Sequence, residues 1–193
     1  MNKIILASSS PRRKELLLKY NLKPIIVKSS IKEKISPNET TEQIAMALAF
    51  EKANQVGMKY NQGEIVIGAD TIVAYEGKVL GKPKGEEDAK YMLKSLSGRE
   101  HEVITGISII KSNSNLRIID YERTIVKFRK LTDRKIENYI KTKEYIDKAG
   151  AYGIQGVGGI LVERISGCYF NVVGLPLYKL DILLEKYFDI SLL

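Results

Sequence analysis

A short apolar run that passes almost at once into a helix start is the feature that most narrows the folds open to this chain. Ile4-Ile5-Leu6 reads as a strand, and Ser10-Pro11 then supplies an N-cap residue and a proline suited to the first helical position. The helix continues through Glu15-Leu16-Leu17-Leu18, over residues 11–20. Its first turn holds Arg12, Arg13 and Lys14, three cations where the helix already carries partial positive charge and unpaired N–H groups. A solvated basic face would look the same. The preceding strand and the cluster Ser8-Ser9-Ser10 favour a different reading, in which an anion such as phosphate completes the site.

The rest of the chain repeats strand and helix patterns. Strands are predicted over 3–7, 24–27, 64–69, 72–75, 78–80, 102–110, 116–128, 159–165 and 169–172, with Glu76-Gly77 as a tight hairpin turn. Helices are predicted over 11–20, 41–56, 86–96, 133–142 and 176–187. This mixture of αβ alternation and long hairpins predicts an α/β fold with a mixed, curved central sheet. No repeat, linker or low-complexity tract divides the 193 residues, so one domain spanning 1–193 is expected. Cys168 and His101 are the sole members of their types, which removes intrachain disulfides, zinc clusters and nearly every Cys/His or Ser/His/Asp arrangement. No apolar run is long enough to span a membrane and no signal peptide is recognisable, so a reduced, cytoplasmic setting and no membrane partner are expected. The net charge of +8 is concentrated: residues 1–35 carry nine Lys/Arg against two Glu, the remainder 22 against 21. A polycation meant for nucleic acid would spread its charge more widely.

A second segment, Ile65-Val66-Ile67-Gly68-Ala69-Asp70-Thr71, reads as an apolar strand that delivers a carboxylate at its C-terminal end, where ligands of open α/β sheets gather. Asp70 there can hold a metal ion or orient and deprotonate a water; an Asp capping the next element would show the same pattern. Lys52 follows Ile44 and Leu48 at spacings of four, on the edge of an apolar stripe, as a snorkelling lysine also would. Lys82 lies in Leu80-Gly81-Lys82-Pro83, a loop that could aim it inward or leave it in solvent. Glu33 stands between two lysines and reads either as a surface acid or as a second metal-directed carboxylate. The segment Lys148-Ala149-Gly150-Ala151-Tyr152-Gly153-Ile154-Gln155-Gly156 is rich in small residues that let backbone approach a ligand, with Gln155 able to pair with a base edge. It also fits a plain small-residue turn, and it is neither a P-loop nor a Rossmann fingerprint.

Taken together, LASSSPRRKELL at 6–17, EKA at 51–53, IGADTIV at 67–73, GKP at 81–83, SGREHEVITG at 97–106 and KAGAYGIQG at 148–156 resemble the Maf family of nucleoside triphosphate pyrophosphatases. The blocks run in the family's order and end in Asn171-Val172-Val173-Gly174-Leu175-Pro176. The resemblance implies a single elongated domain of the Maf/inosine triphosphatase type, its sheet flanked by helices. It implies hydrolysis of a nucleoside triphosphate between its α- and β-phosphates, with a divalent metal cation, Mg²⁺ or Mn²⁺, as cofactor. Residue by residue, it implies that Asp70 is the catalytic carboxylate and that Ser8, Arg13, Lys52 and Lys82 contact phosphate. Glu33 falls on an acidic position that acts with Asp70 on metal or water, although Ser30-Ile31-Lys32-Glu33 lacks two acids of the family's Asp-Ile-Asp-Glu pattern. Arg12, Thr71 and Gln155 match the positions that separate substrate branches, and Thr71 and Gln155 resemble the branch acting on dTTP and UTP. A homodimer is compatible with the resemblance.

Two alternatives stand beside this reading. One is a house-cleaning pyrophosphatase for other modified nucleotides. The other is a basic nucleic-acid-binding protein acting in cell division, supported by the cation excess at 1–35. Against it, aromatic residues are sparse there and no RRM, KH or helix-turn-helix signature appears.

Overall fold

The computed structural model describes residues 3–20, 22–31 and 39–193. In chain order the elements are β1 (Ile4–Leu6), α1 (Pro11–Lys19), β2 (Ile25–Ile26), α2 (Thr41–Gly57), β3 (Ile65–Tyr75), β4 (Lys78–Leu80), α3 (Glu86–Leu96), β5 (Glu100–Lys111), β6 (Arg117–Phe128), α4 (Asp133–Lys141), β7 (Val162–Ser166), α5 (Tyr169–Val173) and α6 (Leu177–Phe188). The strands form a mixed sheet in the order β2-β1-β3-β5-β6-β7, with β4 paired to β3. The chain divides into two compact units. The first holds Met1–Asp70, Thr105–Glu122 and Gly174–Leu193, and the second holds Thr71–Ile104 and Arg123–Val173. Because the segments of the two interleave, no single stretch of chain separates them. A linker signal therefore has nowhere to appear in the sequence.

In the first unit β1 pairs in parallel with β2 and with β3, in register Leu6↔Ile26 and Leu6↔Ile67. Helix α2 starts at a capping box: the Thr40 hydroxyl accepts from the Gln43 amide and the Gln43 side chain returns to the Thr40 amide. Two glycines let α2 lie against the strands. A Cβ at Gly68 would overlap the Ala49 carbonyl oxygen and stand 2.8 Å from Ala53 Cβ. A Cβ at Gly106 would overlap the Ala45 carbonyl. The helix thus meets β3 and β5 along Ala45, Ala49 and Ala53, and Ile5, Val56, Val66 and Ile110 fill the core beside them.

In the second unit β3 turns into β4 through Glu76 and Gly77, both with positive φ, the turn the sequence predicts. Helix α3 begins after Gly85 with Glu86, Glu87 and Asp88 in its first turn and carries Lys94 in its last, the sign order a helix dipole favours. Its apolar side, Ala89, Leu93 and Leu96, packs with Phe128, Ile136 and Tyr152.

Three local expectations change. The strands expected over 64–69 and 72–75 are one unbroken strand, β3 (Ile65–Tyr75), so Asp70 lies inside a strand and not at its end. Residues 169–172 form helix α5, although Tyr, Phe and Val favour strands. Tertiary hydrogen bonds override that preference: the Asn171 side-chain amide donates to the Val103 carbonyl and the Thr124 hydroxyl, both at 2.9 Å, and the Thr124 hydroxyl bridges the Cys168 amide and carbonyl. The strand expected from 159 begins at Val162, because Val157–Leu161 is wound into 3₁₀ turns.

Candidate active site

Asp70 sits where the parallel part of the sheet runs out. The β1–β3 pairing ends at Leu6↔Ile67, with the Ala7 amide still donating to the Ile67 carbonyl at 2.8 Å. Asp70 therefore lies three residues past the last parallel pair on β3, and Ser8 lies two residues past it on β1. The rule that ligands gather beyond the carboxyl ends of parallel strands is met by the short β1, even though β3 itself continues.

Asp70 and Glu64 are the buried acids among the described residues. Glu64 is occupied structurally: its carboxylate accepts from the Ser112 hydroxyl at 2.6 Å and from the Gln62 amide at 2.9 Å. Those hydrogen bonds, the Ser112 one foremost, hold its pKa below the ordinary carboxylate value. Asp70 has a different partner. Lys52, four residues beyond Leu48 on α2, places its ammonium against Asp70 Oδ1 as a largely buried ion pair. Gly68 makes this contact possible, since the close approach of α2 at Ala49 and Ala53 brings Lys52 onto the same strand.

Arg13 completes the cluster. Its Nη1 donates to Ser8 Oγ at 3.2 Å and its Nε to the Gly174 carbonyl at 2.7 Å. Ser8 Oγ also accepts from the Ser10 amide at 3.2 Å. Ser10 occupies the N-cap position, yet its own side chain makes no capping hydrogen bond; the serine that organises this turn is Ser8. Burial lowers the pKa of the Arg13 guanidinium, the negative charge of Asp70 opposes the shift, and neighbouring Arg12 adds to it. A half-buried cation in the first turn of a helix favours an arriving anion. The contrast with α3 sharpens the point: that helix opens on three acids, whereas α1 opens on Pro11, Arg12, Arg13 and Lys14 with no acid in its first turn.

The structure thus brings together Ser8, Arg13, Lys52 and Asp70, with Arg12 beside Arg13, all in the first unit. Thr71, Lys82 and Gln155 belong to the second. Thr71 follows Asp70 on β3 and is half-buried. Lys82 is exposed in the loop after β4, and that loop is tied to the Lys148–Gly156 segment by the Gly150 amide donating to the Gly81 carbonyl at 3.1 Å. Gln155 is exposed on a turn. Glu33 lies outside the described residues. The sequence reading missed the Gly174 carbonyl as the anchor of Arg13. Its only local signal is Gly174-Leu175-Pro176 between two helices, with Gly174 at φ +117°.

A family model described as "Maf-like protein" matches residues 3–187. A dTTP/UTP pyrophosphatase of Clostridioides difficile (strain 630) is 54% identical over 189 residues, covering 98% of this chain and 97% of that protein. A dTTP/UTP pyrophosphatase of Alkaliphilus oremlandii (strain OhILAs) is 50% identical over 193 residues, the full length of both. Among solved structures, the Staphylococcus aureus Ham1 protein aligns at 14% identity over 66% of this chain and 72% of that one, with a TM-score of 0.47.

Proposed function

The chain belongs to the Maf family, and from that premise we propose that it hydrolyses dTTP and UTP to the nucleoside monophosphate and pyrophosphate. The observation that carries the proposal is the cluster of Asp70, Lys52, Arg13 and Ser8 past the last parallel pair of β1 and β3, with Asp70 and Ser8 buried and the two cations half-buried. It joins a carboxylate able to take a proton to cations able to hold a triphosphate of about four negative charges. Residues 1–193 act as one pyrophosphatase domain in this reading, since neither unit is a contiguous segment that could be excised.

Roles follow from the chemistry of each side chain. A water attacks the α-phosphorus and gives its proton to Asp70. The bond from the α-phosphorus to the bridging oxygen breaks, and pyrophosphate leaves with the bonding electrons. Arg13, held by Ser8 and Gly174, presents a cation in a fixed orientation. Lys52 and Lys82 are assigned further phosphate charge, including the charge that grows on the leaving group. Arg12, Thr71 and Gln155 are assigned to substrate selection.

A divalent cation, Mg²⁺ or Mn²⁺, belongs to the proposal. Among the described residues no three of His, Cys, Asp and Glu converge into a protein-only cage. Magnesium does not need one, because it binds through one or two carboxylates and takes its other ligands from phosphate and water. Asp70, together with Glu33, would hold it. When bound, it neutralises phosphate charge and polarises the phosphorus.

The deciding experiment is a panel of pyrimidine, purine and modified nucleoside triphosphates with Mg²⁺ or Mn²⁺, assayed for pyrophosphate. The expected result is preferential turnover of dTTP and UTP. Preference for a modified nucleotide would replace the substrate assignment. Salt-sensitive oligonucleotide binding without turnover of any triphosphate would replace the enzymatic reading.

A further inference from the structure

The loop that carries Gln155 is built around the side chain of Glu144, a residue outside every block that marks the family resemblance. Glu144 Oε2 accepts a hydrogen bond from the Val157 amide at 2.7 Å. A Cβ at Gly156 would come within 2.6 Å of Glu144 Cδ, and a Cβ at Gly153 within 3.0 Å of Glu144 Oε1 and 2.7 Å of Lys148 Cε. Both glycines that bracket Ile154-Gln155 therefore leave space for the same carboxylate. The small residues of this segment, read from sequence as room for a ligand, are in these two places room for Glu144.

Glu144 is itself fixed to the end of α4. Its amide donates to Thr142 Oγ1 at 3.2 Å, and that hydroxyl donates to the Tyr139 carbonyl at 2.6 Å. The Lys148 ammonium returns to the Glu144 carbonyl at 2.5 Å. Gln155, by contrast, is exposed, and no hydrogen bond holds its side-chain amide among the described residues. Where that amide points depends on the backbone beneath it, and the backbone is seated on Glu144.

We propose that Glu144 is a positioning residue for substrate selection: its carboxylate sets the backbone of the Gln155 turn and so the placement of the amide that reads the nucleobase. The inference rests on the reading of Gln155 as a base contact. A half-buried acceptor that satisfies one backbone N–H and fills the space left by two glycines acts through the loop and touches no reacting atom.

The test compares kcat/KM for dTTP with that for dGTP in the wild type, Glu144→Ala, Glu144→Gln, Gln155→Ala and the double variant Glu144→Ala/Gln155→Ala, with a thermal melt of each. Glu144→Ala should lower the dTTP preference on the order of tenfold, while Glu144→Gln, which keeps an oxygen acceptor for the Val157 amide, stays within about threefold of wild type. In the Gln155→Ala background, Glu144→Ala should change the preference no further, because both substitutions remove one contact. A lowered melting temperature with unchanged preference in Glu144→Ala, beside a Gln155→Ala variant that does lose preference, overturns this inference alone. Unchanged preference in Gln155→Ala overturns the base-contact reading and this inference with it. If Glu144→Ala does not fold, Gly156→Ala carries the test from the other side, since its methyl group displaces the same carboxylate; retained preference there is equally fatal.

Discussion

A single ion pair decides how much can be asked of Asp70. Its carboxylate is buried and bonded to Lys52, so the group is fixed in orientation before any substrate is considered. Replacing it by Asn keeps the shape and an acceptor for Lys52 but removes the proton acceptor. Asp70→Asn should leave the circular dichroism spectrum unchanged and reduce kcat on the order of 10² to 10⁴. Turnover of dTTP at the wild-type rate would remove Asp70 from the mechanism. Arg13 makes a different prediction, since it holds charge and does no proton chemistry. Arg13→Ala should raise KM for the triphosphate far more than it lowers kcat, read from steady-state kinetics; unchanged constants would remove the phosphate role. Most of these residues were legible in the sequence because each breaks a local expectation: cations in a helix's first turn, a lysine on an apolar stripe, an acid ending an apolar run. Glu144 and Gly174 were not, because what they do is bond to groups distant along the chain or across a turn.

At the level of elements, the approach of α2 to the sheet is set by what is missing from Gly68 and Gly106. Gly68→Ala would drive a methyl group into the Ala49 carbonyl, a backbone atom that cannot rotate away. The helix must then shift, at a cost of about 1–3 kcal/mol of stability. Because Lys52 rides on that helix, activity should fall further than in a surface variant of equal stability. Urea unfolding and dTTP turnover measured together check this; a Gly68→Ala protein with wild-type midpoint and rate would mean that the helix has room to spare. The elements most legible in the sequence were those with terminal signals of their own, such as α3, whose bounds match the reading, and α2, which ends one residue later. The failures cluster where long-range bonds prevail. Residues 169–173 carry strand-forming side chains, yet the bonds of Asn171 and Thr124 hold them as a helix.

At the scale of the whole molecule, acid stability has one identifiable contributor in the sole histidine. His101 is buried against Phe128 and Tyr152, and its Nε2 lies 2.8 Å from the Tyr152 hydroxyl. Its Nδ1 has no hydrogen-bond partner among the described residues. Burial pushes its pKa down to about 4. Above pH 6.5 the ring is neutral in both folded and unfolded chains. As pH falls towards 4 the unfolded chain takes up a proton that the folded one refuses, so stability is lost across that window, by about 3 kcal/mol in all. Urea unfolding at pH 7, 5 and 4 should show this loss in the wild type and not in His101→Asn, so that the difference between the two proteins narrows as pH falls. Parallel loss in both proteins would assign the acid sensitivity to carboxylates instead.

The sequence by itself determined the class of fold and the local chemistry of the opening segment, because those depend on periodicity, caps and charges that neighbours along the chain supply; the family followed from the resemblance of its ordered motif blocks. It also located Asp70 and Lys52 as candidates, each from its own surroundings. Only the tertiary structure decided that the two are partners, that Arg13 is anchored by Ser8 and Gly174, and that the glycines around Gln155 make room for Glu144. Those facts rest on close approaches between side chains and backbone well separated along the chain or folded back across a turn. No single residue's pattern can announce a contact whose other half lies elsewhere.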